Sequence, residues 1–178
     1  MALETPQYEV VTMHDGFETR QYSEMIIATT SVQADYKSST SSGFRRVASY
    51  IFGGNDKEMK IAMTAPVISD CPSEGLETYN VSFVMPREHS MKDLPKANTN
   101  NVSIKKEALG KVAVMAFGGW ATEARSKTFQ KKFVKLLKLN NIEIQGGFMV
   151  AQFNSPYVLP MFRKNELMVR IIKKSSVN

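Results

Sequence analysis

Few side chains in this sequence are of the kinds that make or break bonds. Among 178 residues there is one cysteine, Cys71, and two histidines, His14 and His89. A Cys–His pair is a recognised nucleophilic arrangement, but nothing in the spacing places either histidine beside Cys71. There is no Gly-x-Ser-x-Gly, no phosphate-cradling Gly-rich loop and no His-Glu-x-x-His, so the nucleophile-elbow, P-loop and zincin chemistries are not indicated. What remains is chemistry of binding. Eleven methionines supply soft, adaptable apolar surface. A net charge of +6 favours anionic partners.

The stretch that best combines these features runs from Gly43 to Val67. Phe44, Val47, Ala48 and Ile51 recur at i, i+3, i+4 and i+7 and share one helical face. Ser41 and Ser42 are candidate N-caps, and Gly53–Gly54 supplies a helix stop. Lys37–Ser42 reads as a Ser/Thr-rich linker feeding this helix. The apolar face needs a partner, which is either a sheet or a flat hydrophobic ligand. A second apolar group, Tyr157, Val158, Leu159 and Met161, lies between Pro156 and Pro160, which oppose regular strand pairing.

The surrounding elements are read from periodicity. Tyr8–Met13 and Phe17–Tyr22 flank a His14-Asp15-Gly16 turn and form a hairpin. Met25–Val32, Met63–Ser69 and Tyr79–Met85 read as strands, with Cys71–Gly75 as a turn and Pro86–Asn101 as a polar loop. Pro66 lacks a backbone donor and suggests an edge or bulge. Asn101–Lys106 and Lys111–Phe117 read as strands joined at Gly110. Thr122 caps a helix reaching Leu139, with Phe129, Phe133, Leu136 and Leu137 as its stripe. Gly147–Phe153 and Glu166–Ile172 close the pattern. By this pattern the class is α+β, in two pseudo-repeated strand-strand-helix-strand-strand halves.

Composition narrows the partners. The hydrophobic fraction of 43% is ordinary for a globular domain. No apolar run approaches the roughly 20 residues of a membrane-spanning helix, and the first residues resemble neither a signal peptide nor a myristoylation site. A single cysteine suits a reducing, cytoplasmic setting. The lysines of the second helix are not interleaved with aromatics, which argues against a nucleic-acid partner. Protein partners are left open.

Six segments, in order, resemble the SOUL/haem-binding protein family. They are Glu4–Val10, Phe17–Tyr22, Lys60–Val67, Val81–Pro86, Phe117–Gly119 and Asn154–Glu166. The resemblance implies a single domain over residues 5–174, with halves at about 5–86 and 100–174. It also implies a distorted antiparallel β-barrel flanked by two helices. By the same resemblance the ligand is haem or another tetrapyrrole, bound non-covalently in an apolar groove by a carrier or buffer. Carried across, the groove comprises Phe44, Val47, Ala48 and Ile51 facing Tyr157, Val158, Leu159 and Met161, with Met59 and Met63 as adaptable wall. Arg45, Arg46, Lys60, Arg163 and Lys164 are the cations near it, and an arginine can grip a propionate with two parallel bonds.

Some family members carry a histidine where this chain has Gln21, so that mode of iron ligation is not available. Met59 or Met63 could supply a thioether. Cys71-Pro72 resembles the short motif of thiolate-ligated haem proteins. The reading adopted is ligation-free binding by apolar area and propionate contacts. Two alternatives stand beside it. One is an enzyme, either a hydrolase of small apolar molecules or an iron-removing protein, with Glu166 as candidate catalytic carboxylate. The other is an interaction module with incidental porphyrin affinity.

Overall fold

The computed structural model describes residues 2–172. Nine strands form one antiparallel sheet that curls into a half-barrel, with two helices. In chain order the elements are β1 (Tyr8–His14), β2 (Phe17–Tyr22), β3 (Met25–Gln33), α1 (Tyr36–Ile51), β4 (Val67–Asp70) and β5 (Thr78–Val84). There follow β6 (Ser103–Glu107), β7 (Lys111–Gly118), α2 (Glu123–Leu139), β8 (Ile144–Gln152) and β9 (Lys164–Ile171). The α+β class and antiparallel sheet agree with expectation.

Strand order across the sheet is β1-β2-β7-β9-β8-β4-β5-β3-β6. Strands β3, β5 and β4 lie together, as do β7, β9 and β8, and the two groups meet where Val67 pairs with Gln152. Strand β6 does not pair with β7. It lies on β3 (Ile26↔Lys106), while β2 lies on β7 (Arg20↔Val112). The sheet therefore does not divide where the sequence pattern does.

Two expectations about local structure are corrected. Helix α1 starts at Tyr36, so Lys37–Ser42 is helix rather than linker. Its N-cap is Asp35, whose carboxylate accepts from the Ser38 amide at 3.0 Å, and not Ser41 or Ser42. Ser39 is tolerated inside because its hydroxyl is used: its Oγ donates to the carbonyls of Val32 and Ala34. Strand β4 begins only at Val67 and is interior, between β5 and β8. Pro66 stands immediately before its first residue, where no ladder donor is needed. Helix α2 begins under its Thr122 cap as read.

Three apolar clusters divide the core. Phe133 and Leu137 of α2 pack on Met115, Phe117, Val150 and Leu167. Val47, Ala48, Tyr50 and Ile51 of α1 pack on Ala28, Val81 and Phe83. Tyr22, Ile27, Ile68, Val112, Val114, Ala151 and Met168 form the third. Because alternate strand residues face opposite sides, Leu167 joins the α2 cluster and its neighbour Met168 the third, which places that cluster on the other side of the sheet.

Candidate functional site

The residues expected to form one groove are divided by the fold. Val47 and Ile51 are almost fully buried and Ala48 nearly so, all against the sheet. Phe44 is half-buried with its ring 5.2 Å from that of Phe83. The helical face is thus covered by β-sheet, the commoner fate of an amphipathic stripe. Met59 and Met63 are half-buried against the same cluster. Arg45 is exposed, whereas Arg46 reaches back to donate to the Ser31 carbonyl at 3.1 Å.

The closing segment behaves differently. Tyr157 is 95% exposed, Met161 78%, Phe162 69% and Leu159 58%, and Trp120 beside them is 46% exposed. Val158 is half-buried. Such a concentration of large apolar side chains is uncommon on the surface of a monomeric protein. The segment is nonetheless pinned. Arg163, itself buried, donates from Nε to the Val158 carbonyl at 2.9 Å. Its Nη2 donates to the carbonyls of Pro156 at 2.6 Å and Ser155 at 3.2 Å. Its guanidinium lies 3.7 Å from the centre of the Trp120 ring. Arg163 therefore holds the loop, with Nε and Nη2 committed to its carbonyls. Lys164 is exposed and next in line.

Of the sulfur ligands that the sequence offered, Met59 and Met63 are half-buried in the α1 cluster and Cys71 is held as a thiol. Cys71 is buried, and burial pushes its thiol up to about 12, so the thiolate form is suppressed. Its Sγ lies 3.5 Å from Gln130 Oε1. His14 is stacked on Phe17 with ring centres 4.3 Å apart. His89 Nε2 lies 3.5 Å from the Glu88 carboxylate. Gln21, where relatives resembled in sequence carry histidine, is exposed on β2.

Glu166 sits apart from the closing segment's apolar surface, in a second constellation that the sequence did not assemble. It is 1% exposed and receives both Arg20 terminal nitrogens, Nη1 on Oε2 at 2.9 Å and Nη2 on Oε1 at 3.0 Å. Lys164 Nζ approaches Oε1 at 3.5 Å. Arg20 also donates from Nε to Glu18 and from Nη1 to the Tyr22 hydroxyl at 2.9 Å, and lies 4.1 Å from the Tyr8 ring centre. Burial by itself disfavours the charged guanidinium, but the bonds to Glu166 and Tyr22 outweigh it and raise the Arg20 pKa. Both carboxylate oxygens of Glu166 are thus engaged by cations in the protein interior. The alternating types Glu18-x-Arg20-x-Tyr22 place three polar side chains on one strand face. That was the available signal; their partner 146 residues away was not visible.

Comparison with known proteins adds an independent line. The family described as "SOUL heme-binding protein" matches residues 3–170. The human protein named "Heme-binding protein 2" is 33% identical over 182 aligned positions, covering 93% of this chain and 85% of that protein. Among solved structures, the EcmrR C-terminal domain aligns over 93% of this chain and 98% of that one, with TM-score 0.63 and 8% identity. A hydrolase from Listeria innocua aligns over 97% and 94%, with TM-score 0.56 and 12% identity. At such identities these two likenesses concern the fold alone.

Proposed function

The chain belongs to the SOUL heme-binding protein family, and from that premise we propose that it binds haem non-covalently on the apolar segment before β9, as a carrier or buffer. The observation that carries this reading is the exposure of Tyr157, Leu159, Met161 and Phe162 beside Trp120, on a backbone fixed by Arg163. A flat apolar macrocycle covers such a surface, and a pinned segment loses little further entropy on binding. Met63 belongs with Met59 in the support formed by the α1 cluster.

Lys164 Nζ is already 3.5 Å from Glu166 and Arg45 is exposed on α1, so the proposed binding on this segment rests mainly on apolar area. Val47, Ala48 and Ile51 support the site from the core rather than touching ligand, and Phe44 and Met59 belong to that support. With Cys71 held as a buried thiol, binding rests on apolar area and charge rather than an axial bond. Metal-free protoporphyrin is then a ligand too.

The remaining assignments follow the same reading. We take residues 5–174 as one domain, of which 173–174 lie outside the described residues; the family match itself covers 3–170. Among the described residues no helix is long and apolar enough to cross a membrane. A cytoplasmic location fits a single, buried, unpaired cysteine, and nucleic acid is not a partner.

The test uses Trp120, the chain's one tryptophan, as reporter. Purified protein is titrated with haemin and with protoporphyrin while Trp120 emission and the Soret band are followed. Saturable one-to-one quenching by both is expected, weakened at least about tenfold in Tyr157→Glu/Met161→Glu, the cost of charging two apolar contacts. No saturable change at micromolar ligand, or equal affinity in a folded double variant, overturns the proposal.

A further inference from the structure

The buried ion pair of Arg20 and Glu166 lines a cavity of about 100 Å³ on the side of the sheet away from the helices. Its walls are Ile68, Leu109 and Met168 with the rings of Tyr8, Tyr22 and Phe153. Thr5 and Pro6 close it from the N-terminal segment. That segment is strapped in place: the Ala65 amide donates to the Glu4 carbonyl at 2.9 Å. Arg87 donates from its backbone amide at 2.9 Å and its Nε at 3.0 Å to the Glu4 carboxylate.

A cavity with such walls would be simple apolar filler but for its polar edge. The charged groups on it and beside it, Arg20, Lys164, Glu166 and Glu18, sum to zero and are mutually engaged. Tyr22 is the exception. Its side chain is 93% buried, and its hydroxyl oxygen accepts from Arg20. Its own hydrogen finds no acceptor among the described residues. Burial pushes the phenol up to about 12, so that hydrogen is present at neutral pH. A buried donor without an acceptor is costly unless something supplies one. The cavity that Tyr22 lines is a place from which an acceptor can be supplied.

We propose that this cavity is a second ligand site, distinct from the porphyrin surface, for a small uncharged ring-sized molecule bearing one hydrogen-bond acceptor such as a ketone oxygen. The charged groups of the lining are already paired, Arg20 with Glu166 and Glu18 and Lys164 with Glu166, so none is left to pair with an ionic ligand. Apolar and aromatic walls take the ring. At about two-thirds of the roughly 150 Å³ that holds benzene, the volume limits it to a ring no larger than five-membered. The Tyr22 hydroxyl donates to the carbonyl oxygen while still accepting from Arg20.

The experiment uses the full chain labelled with ¹³C at the methionine methyl groups. Met168 lines the cavity and is 1% exposed, so its methyl reports occupancy; Met168→Leu assigns the signal. Cyclopentanone and cyclopentane are the probes, alike in shape but differing in the acceptor. Saturable movement of the Met168 signal is expected with cyclopentanone, at least about fivefold tighter than with cyclopentane, the worth of one hydrogen bond of roughly 1 kcal/mol. Tyr22→Phe, checked for folding by circular dichroism, should erase that difference. If neither probe moves Met168, or both bind equally to the wild-type protein, the proposal is overturned. Porphyrin quenching of Trp120 is run in parallel and is expected to be unchanged by cyclopentanone. Competition between the two overturns the claim of a distinct site.

Discussion

Arg163 lies with its guanidinium 3.7 Å from the centre of the Trp120 ring while three carbonyls of residues 155–158 bond to its edge. One side chain thus ties the loop before β9 to the loop after β7. The ring face takes the cation, and the planar fork reaches the carbonyls. The exposed apolar residues between Tyr157 and Phe162 are held out by a buried cation rather than by a core of their own.

Arg163→Lys keeps the charge and loses the fork. Two of the three carbonyl bonds go, each worth about 1 kcal/mol. The expected outcome is a small fall in Tm with a several-fold loss of porphyrin affinity, read by Trp120 quenching. An unchanged affinity would show that the pinning is not needed for binding.

Glu166→Gln breaks a buried, bidentate pair and leaves Arg20 with an uncompensated buried charge. A loss of about 3–5 kcal/mol of stability is expected, measured by urea unfolding. The paired change Arg20→Met/Glu166→Leu removes both charges and should recover much of that loss, because the desolvation cost goes with the attraction. If the single and paired variants are equally unstable, the pair's geometry rather than its charge is what matters.

Alkaline conditions should destabilise the protein in a defined window. Burial pushes the Cys71 thiol from 9.0, and the Tyr22, Tyr36 and Tyr50 phenols from 10.0, up to about 12. Between the unfolded and folded values the folded state holds more protons, so stability falls as pH rises. Tm should be level with respect to these groups below about pH 9 and drop progressively towards pH 12. The Cys71 thiol should also react with a disulfide reagent at pH 8 only after denaturant is added.

Gly43→Ala tests the approach of α1 to the sheet. A Cβ at that position would lie 2.5 Å from Val81 Cγ2, inside contact distance, and Val81 is 1% exposed. Overpacking of this kind costs about 1–3 kcal/mol, readable as a lowered urea midpoint. Asp35→Ala, which removes the α1 cap, should cost about 1 kcal/mol by the same assay.

The sequence by itself determined the elements whose cause is local. The α2 cap at Thr122 and its stripe, the first hairpin around Gly16, and the order of strands and helices follow from side-chain period and capping chemistry acting within a few residues. The ordered motifs also carried the family. Tertiary structure decided what depends on partners distant in the chain. Whether Phe44, Val47, Ala48 and Ile51 face a ligand or a sheet is the same pattern in sequence, and only the packing of α1 on β3 and β5 selects the sheet. Whether Arg163 meets a propionate or the carbonyls of its own loop turns on where Trp120 arrives. The pairing of Arg20 with Glu166 needs β2 and β9 to flank β7, an arrangement set by long-range strand order that no local periodicity encodes.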